Sequence, residues 1–129
     1  MRLERVGRSL LAVAGLINAA PAVGAVSVAF ARSTYGVEIA GPDMEVLFRH
    51  RALLLGIVGT TLVVAALRPG PRAAAITANA VSMGGFLVLA LANPPVNAEL
   101  TKVAWIDAAG LLVLAAGAVA SRRRPDPAP

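Results

Sequence analysis

The chain has 129 residues, room for one domain, yet 57% of them are hydrophobic, only 15% are charged, and the net charge is +5. A soluble domain carries about 25% charged residues, and a chain this short cannot bury so large an apolar excess in water, so an ordinary soluble fold is excluded. The absence of Cys excludes disulfides and thiolate chemistry, and the single histidine, His50, excludes every metal site that needs two imidazoles.

The basic balance does not point to nucleic acid. The arginines stand in short clusters between long uncharged stretches, with no basic stripe interleaved with aromatics. That is the pattern of a membrane topology signal. Four apolar runs carry it: residues 9–31, 52–67 and 73–92 without a charge, and residues 103–120 with one acid, Asp107. About 20 helical residues cross a hydrocarbon core of ~30 Å, and a lipid-embedded backbone must satisfy its own hydrogen bonds. The ~10-residue alternation of a β-barrel is absent.

The first run, residues 9–31, reads as a single helix kinked at Pro21. Its basic start and its small-residue end near Ala31 also fit a signal peptide, but a signal core is usually about 7–15 residues and this run is longer. The second run is short, so its helix must begin upstream. Gly41, Pro42 at a first helical position, and Asp43 and Glu45 in the first turn predict a helix over 42–67 with its span at 46–67. Glu45 and Arg49 fall at an i,i+4 spacing in the favourable order.

Residues 68–72, Arg-Pro-Gly-Pro-Arg, break the chain into a tight hairpin before a third span at 73–92. Asn93-Pro94-Pro95-Val96-Asn97 ends that span, and Asn97 is placed to cap a fourth helix spanning 101–120. Residues 121–129, basic and proline-rich, read as a disordered tail after a membrane domain of residues 1–120.

The expected fold is therefore all-α: a four-transmembrane-helix bundle, up-down-up-down. Arg2, Arg5, Arg8, Arg68, Arg72, Arg122, Arg123 and Arg124 flank one side; Arg32, Arg49, Arg51 and Lys102 flank the other. The richer side is cytoplasmic by the positive-inside rule, which puts both termini in the cytoplasm. Tyr35 and Trp105 are expected at the outer interface.

Polar groups within apolar spans are where chemistry is sought. Asp107 shares a helix face with Val103, Gly110, Leu114 and Gly117, and the glycines suggest that this face packs inward. Arg49, His50 and Arg51 enter the second span at the same depth. Together with Asp107 they form a candidate polar cluster for a proton, a cation, a small acid or a headgroup, set against a plainer reading as snorkelling interfacial residues. Asn18 and Asn79 lie deeper and read as interhelical hydrogen bonds. Gly56, Gly59, Gly84 and Gly85 read as sites of close helix approach, with a hinge as the alternative for Gly84-Gly85. No nucleotide loop, nucleophile elbow or metalloprotease motif is present, so no catalytic residue, cofactor or metal is assigned.

At Arg49-His50-Arg51-Ala52, followed by Leu55-Gly56 and Gly59, the chain resembles a group of small four-helix bacterial membrane proteins within the broader DoxX-like class. Some of that group carry the label phosphopantetheine adenylyltransferase, a soluble enzyme whose H-x-G-H motif a single His cannot supply. DoxX-like relatives include subunits of quinone-linked oxidoreductases, so the resemblance implies at most a role assisting a membrane redox complex. The expected function is a non-enzymatic accessory or scaffold subunit, with the lipid bilayer and either a membrane protein or a second copy as partner. The alternatives are a small transporter or ligand-binding bundle using Asp107 with Arg49 and Arg51, and a quinone-binding subunit.

Overall fold

The structure, a computed structural model, describes residues 2–122. The tail expected over 121–129 lies, beyond Arg122, outside the described residues. Five α-helices follow in order: α1 (Arg2–Ala19), α2 (Val28–Tyr35), α3 (Pro42–Leu67), α4 (Arg72–Ala92) and α5 (Ala98–Ala120), with a 3₁₀ segment, Ala20–Ala25, continuing α1. No strand occurs among the described residues.

Local signals account for most boundaries. Pro42 follows Gly41 at the start of α3, with Asp43 and Glu45 in its first turn, where proline sacrifices no hydrogen bond and acids complement the dipole. At the start of α5, Asn97 accepts from the Leu100 nitrogen at 2.8 Å. Its amide nitrogen also donates to the Tyr35 and Gly36 carbonyls, both at 3.0 Å. One side chain thus caps α5 and ties it to the end of α2.

The expected single helix over 9–31 is divided. Pro21 sits in the first turn of the 3₁₀ segment, Ser27 caps a fresh helix by accepting from the Phe30 nitrogen at 3.2 Å, and Gly36 ends that helix in the left-handed region at φ 60°. The reason is tertiary. Ala31, Tyr35 and the fully buried Ile39 fold back as a plug against Phe48, Leu100 and Val103. Tyr35, expected at the membrane interface, is accordingly a core residue, its ring tilted against that of Phe48 with centroids 6.1 Å apart.

The long helices run alternately up and down. Arg8 of α1 meets Ala66 of α3, and Arg72 of α4 meets Ala65 of α3 and Ser121 beyond α5, so two helix starts and two helix ends share one end of the bundle. The core is built from small residues: Ala14, Ala65, Ala66 and Ala75 surround Leu11, Leu62, Met83 and Leu114. Leu16, Ile57, Val81, Val88, Leu89 and Leu112 lie outside. Large apolar side chains outward and small ones inward is the distribution of a fold whose solvent is lipid.

At the crossing of α1 and α3 the backbones touch. A Cβ at Gly59 would stand 2.5 Å from both the Ala19 nitrogen and the Gly15 oxygen, so this crossing requires glycine. Gly84 and Gly85 behave differently from the expectation of close approach within the chain: nothing stands within 4 Å of where their Cβ atoms would be, because they face outward from α4.

Four helical stretches, Arg2–Ala25, Pro42–Leu67, Arg72–Ala92 and Ala98–Ala120, are long and apolar enough to cross a membrane. The chain is an all-α, multi-pass membrane protein built as a bundle of four long helices.

Candidate functional site

A polar seam runs through the apolar interior. Asn18 (4% exposed) and Asn79 (0%) are its deepest members. The Asn18 amide donates to Asn79 Oδ1 at 2.8 Å, and Asn79 donates in turn to the Val58 carbonyl at 3.0 Å and to the Ala75 carbonyl at 2.8 Å. Ser82 Oγ donates to Asn18 Oδ1 at 3.2 Å. Asn79 therefore joins three helices, α1, α3 and its own α4, using both amide protons and its oxygen. An unmet amide here would cost about 1–3 kcal/mol. Every deeply buried side-chain nitrogen and oxygen among the described residues has a partner.

From Asn18 the seam opens into a cavity of about 30 Å³, lined by Pro21, Tyr35, Arg51, Ser82, Phe86 and Asp107 together with Ile17, Leu55 and Val103. Each long helix and the α2 plug contributes a wall. The volume admits about two waters. Arg51 enters half-buried, its guanidinium carbon 4.7 Å from the Tyr35 ring centroid and 5.6 Å from that of Phe86. The two rings hold a cation that would otherwise be stranded in an apolar setting. Asp107 reaches the same cavity, also half-buried, from α5.

The residues singled out from the sequence separate here. Arg51 and Asp107 converge on one cavity; Asn18 and Asn79 bond directly. Arg49 and His50 do not join them. Both are exposed on the flank of α3, and Arg49 pairs with Glu45 at 3.8 Å. The cause is geometric, since successive helical residues are turned by about 100° and a consecutive triplet cannot point one way. Nor do Arg51 and Asp107 form a close ion pair: among the described residues the pairs within 4.0 Å are Glu45–Arg49 and, at 2.8 Å, Glu99–Lys102. They are opposite charges facing one polar space.

Tyr35 and Phe86 were not expected in this site. Phe86 lies one turn beyond Ser82, on a face the sequence already marks as polar. Tyr35 enters because α2 folds back, a direction that the local signals at Pro21, Ser27 and Gly36 do not specify. Chemically the arrangement can hold the Arg51 cation and the Asp107 carboxyl group around a little water. No group of three acids or imidazoles able to hold a metal occurs among the described residues. In comparisons with known proteins, no family model, no curated protein and no solved structure matches the chain.

Proposed function

We propose that this chain is a non-enzymatic accessory or scaffold subunit of a membrane complex. One observation carries the reading: the cavity at which Arg51 and Asp107 converge holds only about 30 Å³, and the deeply buried polar side-chain atoms among the described residues are all hydrogen-bonded within the bundle. A substrate chamber of ordinary size is about 300–1,000 Å³. In this reading the functional surface is the outside, and α4 offers a neighbouring transmembrane helix its closest approach at Gly84 and Gly85.

The proposal extends to placement. With eight Lys/Arg on one flank and four on the other, both termini lie in the cytoplasm. The resemblance at Arg49–Ala52 supports a bacterial cytoplasmic membrane and association with a redox complex. Affinity purification of the full chain in mild detergent tests the central role. A stoichiometric membrane-protein partner is expected, lost on Gly84→Leu; a homo-oligomer without any partner contradicts it.

A second reading is favoured by the convergence of Arg51 and Asp107 on one cavity: a small ion- or ligand-binding bundle. It requires that Asp107→Asn and Arg51→Gln each abolish binding or uptake at unchanged membrane abundance. Retained activity in both variants removes it.

A further inference from the structure

The bundle's two ends differ in how their charges are used. Both close ion pairs among the described residues, Glu45–Arg49 and Glu99–Lys102, lie at the end that carries the α2 plug. The other end gathers Arg2, Arg5, Arg8, Arg68, Arg72 and Arg122 against a single acid, Glu4, among the described residues. Arg72 is consumed internally, donating to the Ala65 and Ser121 carbonyls at 3.2 and 3.3 Å. There it offsets the negative ends of α3 and α5.

Arg8 is used only in part. Its Nε donates to the Ala66 carbonyl at 2.7 Å, which fixes the guanidinium at the rim of a groove between the start of α1 and the end of α3. Its two terminal nitrogens have no hydrogen-bond partner among the described residues, and neither does the exposed Arg5 about one helical turn away. The groove has a volume of about 440 Å³ and is lined by Arg5, Arg8, Ser9, Ala12, Ala66 and Leu67. It is cationic at the helix ends and apolar where α1 and α3 enter the hydrocarbon.

We propose that this groove binds an anionic phospholipid, with the phosphate between Arg5 and Arg8, beside Leu67 at the end of α3, and an acyl chain descending past Ala12. The oriented guanidinium offers a phosphate two parallel N–H donors. The site stands where headgroups lie in a four-span protein, and basic pockets between transmembrane helices are suited to such lipids. An apolar wall has no use for free phosphate, whereas a lipid satisfies both halves at once. The inference is independent of the role proposed above, since any multi-pass protein can carry such a site.

The test is native mass spectrometry of the full chain in mild detergent, titrated with phosphatidylglycerol or phosphatidylcholine of identical acyl chains. Wild type should retain one phosphatidylglycerol per chain with a preference of roughly 10- to 30-fold. Arg5→Gln should reduce that preference several-fold, and Arg5→Gln with Arg8→Gln should erase it. Ala12→Phe, which fills the groove without touching its charge, should lower retention of the lipid. Arg49→Gln with Lys102→Gln, which removes two cations from the opposite end, should change nothing. Because Arg8 also caps α3, Arg5→Gln and Ala12→Phe decide the matter should the double variant not fold. Equal retention of both lipids, an equal loss in the opposite-end control, or displacement of the lipid by millimolar inorganic phosphate would each overturn the proposal.

Discussion

Asn18 and Asn79, 61 residues apart, are joined amide to amide at 2.8 Å in the middle of the bundle. Since Asn79 also bonds α3 through the Val58 carbonyl, a single side chain fixes the mutual register of three spans. Interhelical polar bonds of this kind contribute about 0.6–2 kcal/mol.

Asn79→Ala should therefore destabilise the protein in detergent by about 1–2 kcal/mol. Asn18→Ala should cost less, and the two should be strongly non-additive. Unfolding titrations of both single variants and the double variant measure this. Simple additivity would mean the two amides do not act on each other.

Glycines on the two faces of the bundle should respond in opposite ways. Gly59→Ala drives a methyl into the Ala19 and Gly15 backbones and should cost about 1–3 kcal/mol. Gly84→Ala meets nothing within 4 Å and should be neutral or stabilise by up to about 1 kcal/mol through helix propensity. Melting of the isolated chain in detergent separates these outcomes.

The neighbouring arginines provide a third contrast. Arg51→Gln removes a half-buried cation from the Tyr35 and Phe86 rings and should destabilise by about 1–2 kcal/mol. Arg49→Gln breaks only an exposed pair with Glu45 and should change stability by less than about 0.5 kcal/mol. Equal effects would place the two side chains in equivalent surroundings, against the division described for α3.

What the sequence made legible follows from where its signals are local. The start of α3 at Gly41-Pro42-Asp43, its end before Arg68-Pro69, and the Asn97 cap are written in adjacent residues. Each acts through backbone hydrogen bonds within a turn or two. The break between α1 and α2 is written only in part: Pro21 opens the 3₁₀ segment and Ser27 caps α2, but neither states which way the chain turns. Residues 9–31 are uniformly uncharged, which reports a preference for lipid or core and nothing about direction. Burial of Tyr35 and Ile39 against Phe48 and Leu100 decides that the chain turns back, and that contact is long-range.

The candidate site was readable in part for the same reason. Asn18, Asn79 and Asp107 stand out as polar residues in apolar helices, and they are where polar contacts or the cavity occur. Treating Arg49, His50 and Arg51 as one cluster overlooked the helical rotation, which sets Arg51 about 200° from Arg49. Pairing across the cavity depends on how deeply each helix inserts, and that is fixed by packing at positions such as Gly15 and Gly59.

Lipid is the medium of the four long helices. Fractionation of cells expressing the untagged full chain, with an alkaline carbonate wash and ultracentrifugation, tests this directly. The protein should stay wholly in the membrane pellet and be released only by detergent. Recovery as a monodisperse, detergent-free species in the supernatant would contradict the fold's orientation toward lipid, and with it the sidedness and the phospholipid groove.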